Sequence, residues 1–157
     1  MTTPTAAPAL NPRVIALAHY AARAILENVL ARHGVTFQQS VMLRLAVVAD
    51  GPVDREHLVG EVVDALKIDK ADAHAVVDEL VGGGLLTADS TLLTVTDTGR
   101  ELYRTTSAET APFSARVYAG IPAEDLAVAG RVLSLITERA NAELAAMAGP
   151  AAERAAE

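Results

Sequence analysis

The chain of 157 residues has no cysteine and no tryptophan, and its only aromatic side chains are three tyrosines and two phenylalanines. Without cysteine, disulfides, thiol nucleophiles, thiolate zinc sites and cysteine redox sensing are all excluded. Apolar residues make up 51% of the chain, so the predicted core is built mainly from alanine, leucine and valine. A chain of this length buries one sizeable core and is most simply one domain.

The sequence also lacks a recognisable targeting segment. Its start, MTTPTAAPALNP, has no cationic residue and contains Pro4 and Pro8. No apolar run approaches the roughly 20 residues of a membrane span. We therefore expect a cytoplasmic protein with no membrane partner. Arginine far outnumbers lysine and alanine is common, which indicates a GC-rich bacterial gene.

The most informative segment is IDKADAHAVVDELVGGGLL, residues 68–86. It predicts a helix with Asp69 as N-cap that ends at three glycines, where positive φ is available. A preceding helix is predicted from the cap Asp54, and the link between the two helices spans only residues 67–69. Two short helices joined in this way form a helix-turn-helix. Their apolar positions at helical spacing are Leu58, Val62, Leu66, Ala73, Val76, Val77 and Leu80.

Two helices are predicted before this motif. Asn11 with Pro12 starts a long helix that ends at Gly34. Thr36 then caps a helix that runs through Val48.

A hairpin and two helices are predicted after it. The segment LLTADSTLLTVTDTG, residues 85–99, is β-branched and leucine-rich around ADST and predicts two short strands. Asp97 or Thr98 caps a helix to about Tyr118, with a kink or break near Pro112. A last helix follows from Ala123 to about Met147.

This order predicts a mainly α fold with a small β-hairpin wing. The winged helix-turn-helix is flanked by N- and C-terminal helices, whose apolar faces suggest a two-fold dimer. The predicted boundaries are a flexible tail at 1–11, one domain at 12–148, dimerisation helices at 12–34 and 98–148, a head at 36–97 and a second flexible tail at 149–157.

From about residue 11 to 146, the arrangement resembles the multiple-antibiotic-resistance regulator (MarR) family of dimeric winged-helix transcription factors. Residues 58–86, LVGEVVDALKIDKADAHAVVDELVGGGLL, look like the family's recognition helix and its glycine. Residues 92–102, LLTVTDTGREL, look like its wing and the LT-x-x-G that opens the next helix, with Val95 in place of leucine. The resemblance implies a homodimer that binds double-stranded DNA and commonly a small aromatic or phenolic effector.

The resemblance also implies a DNA-binding surface. The helix from Asp69 would enter the major groove, and the wing near residues 88–91 would approach the adjacent minor groove. The residues implied to face bases or phosphates are Lys70, Asp72, His74 and Ala75, with Arg55, Lys67 and Arg100 on the DNA backbone. The sequence departs from the family at Asp72, His74 and Ala75, where Ser, Thr or Arg is usual, and its wing TADST has no cation.

The charge of the head leaves two hypotheses open. Residues 51–106 carry five cations against eleven anions, a net −6 out of −7 for the chain. Most non-specific affinity for a duplex comes from cations that displace counterions at phosphates. The first hypothesis is a DNA-binding regulator. The second is a protein of the same fold that has lost DNA binding and serves as a ligand-sensing or protein-interaction module, with its acidic head meeting a basic partner.

Other chemistry is less well supported. His57 and Glu61, with Asp54 one turn before them, have the spacing of metal ligands. A solvated helix face with a capping Asp explains them better, since a metal site needs further ligands, and we predict no metal or cofactor. His74 is either a base-reading residue or an exposed helix residue. No catalytic constellation is visible, so we expect no enzyme. The aromatic residues that either line an effector cavity or belong to the core are Tyr20, Phe37, Tyr103 and Tyr118.

Overall fold

The computed structural model describes the backbone of residues 9–155 and the side chains of residues 9–148. The chain divides into two compact units, Met1–Ala115 and Arg116–Glu157. Residues 1–8 of the predicted N-terminal tail and the last two residues of the predicted C-terminal tail lie outside the described residues.

The first two helices begin where their caps predict. Helix α1 spans Pro12–Ala31, and the Asn11 side chain accepts a hydrogen bond from the Val14 amide at 3.1 Å. Helix α2 spans Phe37–Val48, and Thr36 and Gln39 form a reciprocal capping box. Between the two helices, Gly34 has a φ of +66°, the left-handed conformation that glycine adopts without steric cost.

The predicted helix-turn-helix consists of α3, Arg55–Leu66, and α4, Lys70–Gly82. The Asp54 carboxylate caps α3 by accepting from the His57 amide at 3.1 Å. Asp69 lies at the N-cap position of α4, but its side chain makes no capping hydrogen bond. At the turn between the helices, Lys67 has a φ of 55° although it is not a glycine. After α4, the positive φ falls on Gly84, at +72°.

The hairpin is present, and a third strand that the sequence did not predict extends it. Strands β2, Leu86–Asp89, and β3, Leu92–Val95, pair antiparallel, with Leu86 opposite Val95 and Asp89 opposite Leu92. Strand β1, Val53–Asp54, pairs with the other edge of β3, which gives the order β1-β3-β2. A strand of two residues is too short to show an alternating pattern in the sequence.

One aliphatic core joins α2, α3, α4 and the sheet, as the composition predicts. The strand residue Leu93 is buried, whereas its neighbour Leu92 is 45% exposed, because successive side chains of a strand point to opposite faces. The largest buried side chains of this core are Met42, Leu58, Leu80, Leu86 and Leu93.

Helix α5, Asp97–Tyr118, corrects two predictions. Its cap is Thr96, because the Thr96 hydroxyl accepts from the Gly99 amide at 3.0 Å; Asp97 and Thr98 are already inside the helix. The sequence predicts a kink or break near Pro112, and a break is wrong, since α5 continues through this residue. Proline removes only one backbone donor, and the helix spans residues on both sides of it.

The start of α5 approaches the chain before the hairpin very closely. A Cβ placed on Gly99 would lie 2.3 Å from the Leu85 carbonyl oxygen and 3.0 Å from Cγ1 of Val95. The Leu85 carbonyl already accepts from the Thr96 amide at 3.1 Å. Because glycine has no Cβ, the first turn of α5 can pack directly against Leu85 and Val95, at the two ends of the hairpin.

Helix α6, Ala123–Ala155, extends further than the predicted end at Met147, because alanine, which dominates this segment, is the best helix former. Its described side chains are exposed or only partly covered. Those that are large, apolar and exposed are Val128, Val132, Leu133, Leu135, Ile136, Leu144 and Met147.

Among the described helices, α1 is long and apolar enough to cross a membrane, with a mean hydropathy of 1.3 over an 18-residue window. The expectation that no apolar run reaches this length is therefore wrong for α1. The charged residues Arg23 and Glu27 lie on this helix, paired with each other at 2.9 Å, and Val29 and Leu30 at its end are buried. A core helix of a soluble protein passes the same test of length and composition.

Candidate nucleic-acid interface

Helix α4 presents one face to the core and another to solvent. Ala73, Val76 and Val77 are buried, whereas Lys70 and Ala75 are exposed. Asp72 is exposed too and lies in the first turn of the helix. The outward face of α4 thus carries three of the residues that the resemblance to the MarR family implies for DNA binding.

Arg55 ties the start of α3 to the middle of α4. Its Nε donates to Nδ1 of His74 at 3.3 Å, and its Nη2 donates to the His74 carbonyl oxygen at 3.4 Å. The same Nη2 donates to Oδ1 of Asp78 at 2.7 Å. The planar guanidinium suits this task, because it offers several donors in a fixed geometry. Arg55 is therefore occupied within the head and does not point a free cation at a duplex.

Glu56, the next residue along α3, contacts Lys70 and His74 of α4. Its Oε2 lies 2.6 Å from Nζ of Lys70, and its Oε1 lies 3.2 Å from Nε2 of His74. The hydrogen bond from Lys70 is the main cause that lowers the pKa of Glu56, with further attraction from Lys70 and His74; partial desolvation and the neighbouring Asp54 act in the opposite direction. Both ring nitrogens of His74 are thus in contact with neighbours.

The remaining cations of the head differ in their surroundings. Arg104 pairs with Glu101, one turn earlier on α5, at 2.6 Å. Lys67 and Arg100 have no acidic partner among the described residues. The structure therefore brings Arg55, Lys70 and His74 together in one cluster and leaves Lys67 and Arg100 outside it. Sequence reasoning missed Glu56 and Asp78 as members of this cluster, because acids and cations lie on different helices.

The wing contributes no positive charge. Residues 86–95, which form β2, β3 and their turn, include no lysine and no arginine. Ser90 lies in the turn with a φ of 55°. Hydroxyl groups and backbone amides are the hydrogen-bond donors that this hairpin can offer to a phosphate.

A cavity of about 740 Å³ lies beside the head, between α1, α2, the end of α3 and α5. Of the four aromatic residues for which the sequence left a cavity or the core as alternatives, Phe37 and Tyr103 line this cavity. Tyr20 and Tyr118 are exposed, at 64% and 56%, and do not line it. Most of the remaining wall is aliphatic, with hydroxyl groups from Ser40, Ser107, Thr106, Thr110 and Ser114.

Arg44 also lines this cavity, and the sequence analysis did not select it. It is a cation within the otherwise apolar second half of α2, VMLRLAVV, and that contrast is the signal that could have identified it. It has no acidic partner among the described residues. A largely apolar cavity with one such guanidinium suits a small apolar ligand that carries a negative group.

The structure also shows the surroundings of His57, for which the sequence left a metal ligand or a solvated helix face as alternatives. Its Nε2 lies 3.9 Å from Oε2 of Glu61, and both side chains are exposed. The nearby Asp54 carboxylate is bound to the His57 amide. Within the part of the chain that the structure describes, no group of three or more histidine and acidic side chains is arranged to hold a metal ion.

Comparison with known proteins identifies solved structures of the same fold. Neither a scan against protein-family models nor a search of curated proteins gives a match. Many solved structures do match. One is a MarR-family transcriptional regulator from Rhodococcus sp. RHA1, with 22% identity, a TM-score of 0.65 and coverage of 79% of this chain and 89% of that one.

Two further neighbours are similar over most of their length. Sco5413, a MarR-family transcriptional regulator from Streptomyces coelicolor, has 20% identity, a TM-score of 0.68 and coverage of 82% of this chain and 91% of that one. BpsR from Bordetella bronchiseptica, whose DNA binding is regulated by 6-hydroxynicotinic acid, has 20% identity, a TM-score of 0.65 and coverage of 86% and 99%. The chain therefore has a MarR-like winged-helix fold.

Proposed function

We propose that this protein is a soluble, cytoplasmic, homodimeric transcriptional regulator that binds double-stranded DNA through α3, α4 and the β2–β3 wing. The observation that carries the proposal is the exposed N-terminal face of α4, which lies beside a hairpin in a complete helix-turn-helix. In this arrangement a second helix enters the major groove while neighbouring elements contact the DNA backbone.

The contacts follow from the charge distribution. Lys67 and Arg100, which have no acidic partner among the described residues, would hold phosphates. Lys70, Asp72, His74 and Ala75 would face the groove once α4 is docked, with Arg55 positioning α4 through His74 and Asp78. Because so few cations are available, we expect a shallow dependence of affinity on salt.

The proposed dimer rests on the apolar face of α6. Large side chains such as Leu133 and Ile136 are about 40% exposed in the single chain. A monomer rarely leaves a continuous row of such side chains in water, and a second copy of the same helix covers it with matching chemistry. We propose residues 12–34 and 98–148 as the dimerisation helices and 36–97 as the reading head.

Duplex binding by the purified protein tests the proposal. We would select binding sequences from a pool of random duplexes and measure their affinity by fluorescence anisotropy, from low to physiological salt. Specific binding with half-sites about one helical turn apart supports a dimeric regulator. Lys67→Gln should weaken binding to all sequences alike, since it removes a phosphate contact. The matched control is Arg139→Gln on α6, which removes a cation outside the head.

The cavity beside the head supports a second part of the proposal, which is control by a small effector. Its wall is largely apolar, with the guanidinium of Arg44 and the phenol of Tyr103. Aromatic carboxylic acids fit this chemistry, and 6-hydroxynicotinic acid is a suitable probe. Isothermal titration calorimetry should show binding that Arg44→Gln weakens by roughly tenfold, the loss of one charge-assisted hydrogen bond. Unchanged affinity in that variant would contradict the role of Arg44.

The internal pairing of the head favours a second candidate function. Arg55, Lys70 and Arg104 each have an acidic partner within 2.7 Å. A head of this kind suits a basic protein partner better than a polyanion. The duplex experiment separates the two functions, because complete lack of binding at low salt contradicts the regulator and supports the interaction module.

A further inference from the structure

We propose that Glu56 acts as an internal competitor of DNA, because its carboxylate occupies the polar groups of α4 that a phosphate would otherwise bind. The proposal rests on the proposed DNA binding and concerns how that binding is restrained. In the free protein the Glu56 carboxylate holds Nζ of Lys70 at 2.6 Å and Nε2 of His74 at 3.2 Å. These are the donors that α4 directs outward from its first turns.

The carboxylate is a close chemical substitute for a phosphate. Both present anionic oxygens that accept hydrogen bonds from ammonium and imidazole N–H groups at about 2.7–3.2 Å. Each oxygen of Glu56 meets one donor of α4, so the two donors are satisfied without DNA. A duplex that docks on α4 must displace Glu56 from Lys70 and His74. Its phosphates are then repelled by the carboxylate, which stays nearby.

The contact is exposed enough to be exchanged. The side chains of Lys70 and Glu56 are 64% and 59% exposed, so both groups are reachable by a ligand without unfolding. An exposed ion pair contributes little free energy, so breaking it changes an equilibrium constant such as DNA affinity by a factor of only roughly two to five. Glu56 therefore lowers DNA affinity without preventing binding.

His74 is held in place for this exchange by charged groups on both helices. Arg55 donates to Nδ1 and to the carbonyl oxygen of His74, and Asp78 fixes the same guanidinium. An Nδ1 that accepts leaves the ring proton on Nε2, directed at Glu56. When Glu56 moves away, His74 keeps its orientation and presents the Nε2 donor to the duplex together with Lys70.

The test compares four proteins: the unchanged chain, Glu56→Gln, Lys70→Gln and the double variant. Each is titrated by anisotropy against a labelled mixed-sequence duplex of about three helical turns, at low and at physiological salt. Glu61→Gln is the matched control, since it removes the same charge from α3 and its neighbour His57 is 3.9 Å away. Thermal unfolding of each protein checks that it is folded, and Glu56→Ser serves as a second substitution.

We expect Glu56→Gln to bind the duplex roughly two- to fivefold more tightly than Glu61→Gln does. In the Lys70→Gln background, the gain from Glu56→Gln should be smaller, because only the contact with His74 is then left to release. A stronger salt dependence of Glu56→Gln, by up to about one unit in the slope of log affinity against log salt, would also support the competition. In the unchanged protein, the displaced carboxylate attracts a cation and so offsets part of the counterion release from the duplex.

Two results would overturn the proposal. One is an equal gain from Glu56→Gln and Glu61→Gln, which shows a general effect of charge. The other is an equal gain from Glu56→Gln with and without Lys70. In both cases the unchanged protein still binds DNA, so the proposed function stands. If no variant binds the duplex even at low salt, the proposed DNA binding fails, and the competition fails with it.

Discussion

Arg55 donates from Nε to Nδ1 of His74 at 3.3 Å, and this contact joins the first residue of α3 to the middle of α4. Because Nδ1 accepts, the proton of the ring lies on Nε2. The same guanidinium reaches Asp78, one turn further along α4, at 2.7 Å. The angle between the two helices is therefore fixed by a polar clamp as well as by the buried side chains beneath it.

Arg55→Lys should destabilise the head. A lysine ammonium cannot reach His74 and Asp78 in the same geometry as the guanidinium, so we expect the free energy of unfolding to fall by about 1 kcal/mol. Urea denaturation measures the change. Arg104→Lys is the control, since Arg104 makes one exposed pair with Glu101 and its replacement should cost less than about 0.5 kcal/mol. Equal effects of the two substitutions would contradict the clamp.

The ion pair of Glu56 and Lys70 predicts a dependence of stability on pH. The pKa of Glu56 is lowered in the folded protein, mainly by the hydrogen bond from Lys70, so the folded state binds fewer protons than the unfolded state. Its stabilising effect is therefore fully present above the usual carboxyl pKa of 4.5 and is lost as the pH falls through the lowered value. The stability difference between the unchanged protein and Glu56→Gln should shrink over that acidic range.

Carboxyl ¹³C chemical shifts provide the direct measurement. Titration should give a pKa for Glu56 that rises toward its usual value in Lys70→Gln, because the main cause of the shift is removed. An unchanged Glu56 pKa in the variant would show that Lys70 does not hold this carboxylate in solution.

Gly99→Ala should be clearly destabilising. The added Cβ would lie 2.3 Å from the Leu85 carbonyl oxygen, which is backbone and cannot turn aside. We expect a loss of about 1–3 kcal/mol, as for other overpacked positions. Gly60→Ala in the middle of α3 is the control, because nothing lies within 4 Å of its added Cβ. That change should stabilise the protein by about 0.5–1 kcal/mol. Thermal unfolding distinguishes the opposite signs.

Leu93→Ala and Leu92→Ala test the register of the wing. Leu93 is buried in the core of the head, and its truncation should cost about 2–5 kcal/mol. Leu92 is 45% exposed on the other face of the strand and should cost less than about 1 kcal/mol. Similar losses at the two positions in urea denaturation would mean that the strand is paired in another register.

Local chemistry made most of the fold predictable. Asn11, Thr36 and Asp54 mark helix starts through side-chain hydrogen bonds to amides three residues later, and these bonds are present. Features that depend on distant parts of the chain were not predictable in this way. Strand β1 exists because Val53 pairs with Leu93, far along the chain. Of the kink or break expected near Pro112, the break was wrong, because one missing backbone donor does not end α5.

The candidate site follows the same division. The helix-turn-helix and its exposed face were predictable from periodicity. The pairing of Arg55 with Asp78, and of Lys70 with Glu56, joins residues of different helices and depends on the angle between them. The net charge of the head follows from counting charged residues along the chain, but the count could not show which cations are paired with acids. Arg44 was missed for a similar reason, since only the folded chain places it at a cavity.

At position 67, the left-handed backbone conformation favours glycine, whereas the positive charge requires lysine. This residue ends α3 with a φ of 55°, a conformation that costs a residue with a Cβ about 1 kcal/mol more than glycine. Glycine would relieve that strain, and with it the turn would lose a cation that has no acidic partner among the described residues. If the protein binds DNA as proposed, a screen for thermal stability should select glycine at position 67, whereas a screen for operator binding should select lysine.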